Sequence, residues 1–458
     1  MAKDAVLLSE GIFFFTDVDP EAALKDSRDP LGLQPIWSHF GRKLVGNLTT
    51  VTTSVRGFTT LLLGHWVAEQ LVESGKIPAA EYIQPFLRFE QLAAYSRFAW
   101  AAQTGDPANT IRGIRRVEGR FAEGKGRIRI AADRDGQILS NQKTYGLWGL
   151  YSVAAESSGL LRPKRDGVSP RALDFLEKRI LPIIDTEVKG GRDTILRSMA
   201  SPEFYFEPRS KDRQLGKTLA TLLSPIFNLR EREFYGDHLV YGIHCHRDGR
   251  QKRLWERVAE YNRKGSWQNP FDMKELEAIA SRCGSSADAL DLMIAEWLEK
   301  IRLLELVLAP AEQVFDFLLG QRGQSLDSVK KELKRRWGGA FKHLDPAGLG
   351  ELTPALTEAL GEIGTGTMSR LKDLSLNLQD GHFDEVARLV LLQNEEVMQR
   401  RGGGAWARIA NNRIEVRYSD QTGEPMPSDQ LRQAWHNTYF LNALKVVGTA
   451  VFMKGNNK

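Results

Sequence analysis

The chain has 458 residues, 42% hydrophobic and 26% charged, with a formal net charge of +5; about two to four domains, each with its own core, fit that length. Its two cysteines, Cys245 and Cys283, exclude a disulfide framework and suit a reducing cytoplasm. No apolar run is long enough to span a bilayer, and the early LLSEGIFFF is interrupted by Ser9, Glu10 and Gly11 and lacks a cleavage-site pattern, so a cytoplasmic protein with no membrane partner is expected.

Residues 1–30 mix apolar and acidic segments and read as a short arm or strand. From Leu31 to Gly75 the signal is mostly helical: Ile36, Trp37, Phe40, Leu44 and Leu48 recur at helical spacing, and Leu61, Leu62, Leu63, Trp66 and Leu71 follow. The β-branched TTVTTSV between them weakens that periodicity. Tyr82 to Ala102 predicts a helix with Phe86, Phe89, Leu92, Ala93 and Phe98 inward, a core stripe rather than an aromatic surface. Residues 1–105 thus make an N-terminal helical region.

A basic stretch follows Gly105-Asp106-Pro107. Between Ile111 and Arg165 twelve cations face five carboxylates, a local +7 that exceeds the charge of the whole chain. Arg112, Arg115 and Arg116 fall on one helical face. The segment GKGRIRI (124–130) alternates like a strand, with Arg127 and Arg129 on one side. Ser140 is an expected N-cap, and Asn141, Gln142, Lys143 and Thr144 fill the first turn of a helix whose Tyr145, Trp148 and Tyr151 form an apolar stripe ending at Gly159. Arg162, Lys164 and Arg165 crowd a turn closed by Asp166-Gly167. Ser169 before Pro170 caps a second helix, with Leu173, Leu176 and Ile180 inward and Pro182 as its stop.

Helix, basic hairpin, helix is the order of a winged-helix module, expected over 106–200. In that reading Asn141, Gln142 and Lys143 meet base edges, while Arg112, Arg115, Arg116, Arg127, Arg129, Arg162, Lys164 and Arg165 meet phosphate. An ordinary helical corner with a solvated basic tip is the competing reading.

Residues 201–380 are expected to be a helical middle domain. Gly216-Lys217-Thr218 imitates the end of a phosphate-binding loop, but Lys211 stands where its first glycine belongs and no strand precedes it. Asp185, Glu187 and Lys189 imitate a nuclease carboxylate–lysine set without its separate upstream Asp. Three of the eight histidines, His238, His244 and His246, cluster with Cys245. With Asp237 or Glu233 they could hold a metal that activates water, which makes a metal-dependent hydrolase or nuclease the alternative function. Adjacent residues rarely ligate one ion together, and a polar strand end is the simpler reading, so no metal or cofactor is expected. Leu254–Tyr261 reads as a helix, and Asp272 with Glu275 as a capping pair. Leu290 to Leu308 is an amphipathic helix broken at Pro310. Lys330, Lys331, Lys334, Arg335 and Arg336 form a second basic face, and the glycine-rich 338–366 reads as turns.

Residues 381–458 are expected to be an α+β module: a helix from Asp384 to Arg401, a hairpin over Trp406–Tyr418 turning at Asn411-Asn412, and a last helix capped by Ser428 with Leu431, Trp435, Tyr439 and Leu444 apolar. The fold class expected throughout is mainly α with small β hairpins, in several domains.

The segments LSNQKTYGLWGLYSVAAESSGLL and WARIANNRIEVRY…WHNTYFLNAL resemble uncharacterised proteins encoded among bacterial anti-phage and DNA-restriction genes. The resemblance covers a minor part of the chain; it implies a biological setting and no catalytic residues. The function expected is therefore a non-catalytic DNA-binding subunit of a bacterial multi-protein assembly. A protein-interaction scaffold without DNA contact is the remaining alternative.

Overall fold

Helices carry most of the chain, and the strands among the described residues form two antiparallel pairs. The computed structural model describes residues 29–106, 110–124, 126–361, 363–419 and 425–453; the expected N-terminal arm over 1–28 and Lys125 lie outside them. In chain order the helices are α1 (Gln34–Arg42), α2 (Val55–Glu73), α3 (Ile83–Thr104), α4 (Ile114–Glu123), α5 (Gln142–Tyr145), α6 (Leu147–Ser157), α7 (Pro170–Phe175), α8 (Leu181–Glu187), α9 (Gly191–Ala200), α10 (Arg213–Leu222), α11 (Leu229–Tyr235) and α12 (Arg250–Tyr261). Then come α13 (Met273–Gly284), α14 (Ala289–Leu319), α15 (Leu326–Trp337), α16 (Pro346–Gly350), α17 (Thr353–Leu360), α18 (Ile363–Asp380), α19 (Phe383–Arg400) and α20 (Leu441–Gly448). Strand β1 (Ile128–Ala131) pairs with β2 (Glu203–Phe206), and β3 (Ala407–Ala410) with β4 (Arg413–Val416). Among the described residues no helix is long and apolar enough to cross a membrane.

The chain divides into two compact units, and each takes two stretches of sequence. One joins the residues up to Lys43 with Phe271–Tyr439; the other joins Leu44–Pro270 with the residues from Phe440 onward. The boundaries expected at 105, 200 and 380 do not coincide with these seams.

In the unit that begins at Leu44, α2 packs on α3, and α3 on α10. Helix α2 is buried along nearly its whole length, Phe58, Leu61, Leu62 and Trp66 included. The β-branched run before it is a turn: the Thr52 hydroxyl takes the Thr49 N–H at 2.7 Å, and Ser54 caps the helix. Such side-chain capture of backbone donors outcompetes a strand here. Pro182 does not stop the second helix of the basic stretch. A π turn at Leu176–Ile180 lets α7 run on into α8, which removes the carbonyl a proline ring would otherwise strike. The C-terminal stretch closes this unit, with Gly448 against the Trp255 ring and Phe452 against Gly236.

In the other unit α14 runs unbroken through Pro310 for 31 residues. Burial of Leu304, Leu306, Val307, Leu308 and Ala311 around the proline outweighs its cost of roughly 3 kcal/mol. Residues 338–366 are not only turns: Asp345 caps α16, whose first residue is Pro346, and α17 also carries a proline in its first turn. The expected hairpin is present, with Asn411 and Asn412 both left-handed at φ 50° and 57°, the geometry of a type I′ turn. The expected last helix does not start at Ser428: apart from one 3-10 turn at Leu431–Gln433 the chain is not helical until Leu441, and only the end that carries Leu444 is helix, in α20. The buried Glu305 carboxylate holds that segment instead. It accepts the N–H groups of His436 and Asn437, the Asn437 amide and the Tyr439 hydroxyl, so the donors a helix would use are already taken.

Candidate nucleic-acid interface

The stretch expected to be a winged helix keeps its order of elements and loses most of its wing. Asn141, not Ser140, is the N-cap; its side chain accepts the Thr144 N–H. The helix breaks at Gly146, where the backbone leaves helical geometry, and restarts as α6. Ser169 and Pro170 start α7 as expected. Between the helices a single bridge, Leu161 with Val168, stands where two strands were expected. Lys164 and Arg165 sit at positive φ in a 3-10 turn between them.

Most of the tip's charge is answered locally. Arg162 pairs with Glu69, whose other carboxylate oxygen accepts the Val168 N–H at 3.0 Å. Arg165 lies 3.6 Å from Glu156, which also accepts the backbone N–H of Lys164. The strand arginines are likewise engaged: Arg129 bridges Asp133 and Glu203, while Arg127 stacks on Tyr205 and lies 3.8 Å from Glu207. Gln142 cannot read a base edge. It is fully buried, and its amide donates to Glu90 and to the Leu87 carbonyl, both at 2.9 Å.

A different set of cations stays open to solvent. Arg115, Arg116, Arg134 and Lys143 are exposed, as is Asn141. Arg115, Arg134 and Lys143 have no ion-pair partner among the described residues. Arg116 donates to the Gln137 carbonyl, and the Gln137 side chain accepts the Gln142 N–H, so α4 and the start of α5 share one surface. Exposed Glu118 and Asp135 belong to the same region. The second basic face, on α15, is largely neutralised: Arg335 and Arg336 pair with Glu332, and Lys330 with Asp384.

The histidines do not form a ligand set among the described residues. His238 is buried, with Nδ1 2.8 Å from the Ser158 carbonyl, and burial lowers its pKa. His244 packs on Gly159, and His246 lies beside Gly46. Glu233 pairs with Arg230. The cluster is a π turn and tight loop, not a strand end. Among the described residues no three His, Cys, Asp or Glu side chains could together hold a metal ion.

Arg112 leads to a feature that residue spacing did not signal, a cavity of about 670 Å³ within this unit. Its lining includes polar Glu90, Arg97, Asp106, Thr110, Arg112 and Tyr151 and apolar Leu223, Phe227, Trp267 and Val446. Arg97 grips Asp106 through two bonds of 2.6 and 2.9 Å. Arg56 pairs with Glu231, takes the Ser224 and Ile226 carbonyls, and lies over Phe227 at 4.1 Å. Both guanidinium groups are held by a carboxylate. Arg112 has no carboxylate partner among the described residues: it donates to the Val51 carbonyl at 3.3 Å and lies against the Tyr151 hydroxyl.

Glu90 is seated by the break at Gly146. With the helix interrupted there, the Leu147 N–H points at Glu90 at 2.7 Å, opposite the Gln142 amide. Burial pushes the Glu90 carboxyl up to about 7, against the pull of those two donors and of Arg112. Glu90 looks like a helix-core position from its place in the aromatic stripe of α3; the clue available in sequence was a lone carboxylate between Phe89 and Leu92.

No protein-family model, no curated protein and no solved structure matches the chain. The residues themselves carry whatever functional reading is made.

Proposed function

We propose that this protein is a non-catalytic DNA-binding subunit of a bacterial assembly, and that it contacts the duplex through Arg115, Arg116, Arg134 and Lys143. The supporting observation is that these four cations stay exposed on α4, α5 and the loop between them, while the neighbouring arginines are paired internally. Counterion release from a few phosphates is enough for sequence-independent binding. The helix–bridge–helix order of 141–187 serves as a winged-helix-like support in this reading, with Lys164 at the edge of the footprint. Exposed Asn141 beside Lys143 is the group best placed for base edges.

A salt-titrated binding assay on duplex DNA, single-stranded DNA and RNA tests it. Duplex affinity should fall with salt, and the log–log slope should drop by about one unit for each phosphate contact removed by Arg115→Ala, Arg116→Ala or Lys143→Ala. A slope that the triple variant leaves unchanged overturns the reading.

A further inference from the structure

We propose that the cavity beside Arg112 binds a single nucleotide, its phosphate at Arg112 and the start of α4 and its base inside against Glu90. For a nucleotide within a strand this rests on the DNA-binding reading above; for a free mononucleotide it does not.

The geometry supplies each part. Two backbone segments of the lining lead into the exposed cations. Ile111, Arg112 and Gly113 line the cavity directly before Arg115 and Arg116, and Ile138 and Leu139 line it just before Asn141 and Lys143. A strand held by those cations therefore lies within a few residues of the lining.

Helix α4 is ten residues long, begins at Gly113 with φ 72°, and has no side-chain cap. Gly113, the N-cap of α4, and Arg112 both line the cavity, and a helix N-terminus and a cation each suit a phosphate. A side chain at position 113 would strike the Ile138 carbonyl, so glycine keeps this corner narrow and the backbone donors accessible.

Inside, the volume falls within the range of small-molecule sites and exceeds what one nucleotide fills. Phe227 and Trp267 supply apolar and aromatic wall, and Glu90 supplies the polar edge. Glu90 already accepts the Leu147 N–H and the Gln142 amide, and the remaining lone pairs of its two oxygens suit the N–H groups on the hydrogen-bonding edge of a base. The paired Arg97 and Asp106 add fixed polarity without net charge.

The test uses the full chain and two probes: free 2-aminopurine deoxynucleoside monophosphate, and a 20-mer DNA carrying one 2-aminopurine. Arg112→Ala should weaken binding of the free nucleotide about tenfold or more, as loss of a charge-assisted phosphate contact does, and Arg112→Lys should restore part of it. Val446→Trp, at an exposed position of the lining, should fill part of the cavity while leaving the thermal transition in place.

Free-nucleotide binding lost in both variants supports the proposal. If the 20-mer's emission also changes on binding, and that change disappears in Val446→Trp, the occupant is a strand nucleotide. If only the monophosphate responds, the occupant is a free nucleotide; should the duplex then not bind, the DNA-binding reading fails while the cavity site stands. Duplex binding with no response from either probe overturns the cavity site and leaves the DNA-binding reading intact. Equal affinity of wild type, Arg112→Ala and Val446→Trp for the monophosphate also overturns it.

Discussion

Asn47 and Gln251 lie 204 positions apart and hold each other through a buried amide pair, Gln251 Nε2 donating to Asn47 Oδ1 at 2.8 Å. Around that bond Asn47 donates to the His238 and Leu239 carbonyls and to the Ser158 hydroxyl, while Gln251 donates to the Leu239 and Val240 carbonyls and accepts the Gly46 N–H. The π turn at 236–240 leaves carbonyls without helical partners, and these two amides satisfy them. Asn47→Leu keeps the volume and strips the donors. It should cost about 2–4 kcal/mol in a urea titration; a loss below about 0.5 kcal/mol would show the network to be dispensable.

Gly448 faces the flat of the buried Trp255 ring with no room for a methyl group. Gly448→Ala should therefore destabilise by about 1–3 kcal/mol although alanine is the better helix former. Paired with Trp255→Leu, which opens space, much of that cost should disappear. A purely additive double mutant would contradict the packing account.

The pH dependence of the α14 unit should carry the mark of Glu305. Burial raises its carboxyl to about 7, so the folded state binds a proton that the unfolded chain releases near 4.5. Its contribution is complete below the unfolded value and is lost as pH rises through the window from 4.5 to about 7, a change on the order of 3 kcal/mol. Glu312 shifts in the same direction; His436, lowered by burial, acts in the opposite one and loses stability as pH falls. The difference between wild type and Glu305→Gln isolates the first effect. Parallel stability curves for the two at pH 5 and pH 7.5 would refute it.

At the β3–β4 turn, Asn411→Gly should be neutral or stabilising by up to about 1 kcal/mol, because glycine occupies positive φ without strain. Asn411→Val should destabilise by more than that. Thermal midpoints of the two variants decide it, and a valine variant matching wild type would reject the assigned turn geometry.

Within the basic region, the tip and the open cations should behave differently. Arg162→Ala leaves the half-buried Glu69 without its cation, so the tip variants Arg162→Ala, Lys164→Ala and Arg165→Ala should lower the melting temperature and barely alter the salt slope of DNA binding. The variants at 115, 116 and 143 should do the reverse. If the tip variants take most of the slope away, the contact surface is the wing after all.

Local signals carried the local structure. Ser169 with Pro170, Asp272 with Glu275, and Asn411-Asn412 all place their caps and turns where they stand, because each depends on neighbours within a few residues. What spacing could not show was set by distant partners. Glu305 holds the first part of the expected C-terminal helix out of helical form, burial carries α14 past Pro310, and β1 finds its partner in Glu203–Phe206. The basic stretch is a similar case: twelve cations are visible in the sequence, but carboxylates, the distant Glu69, Glu203 and Glu207 among them, decide which remain available. The cavity joins residues from 51 to 450 and left no periodic trace.

Phe440 onward completes a unit whose other residues begin at Leu44, with Gly448 and Phe452 sealing the surfaces of Trp255 and Gly236. On the ribosome, then, that earlier unit must wait, unsealed, while the whole of 271–439 emerges and folds. A nascent chain stalled within that interval exposes the Trp255 face, and in that window a chaperone would find its substrate.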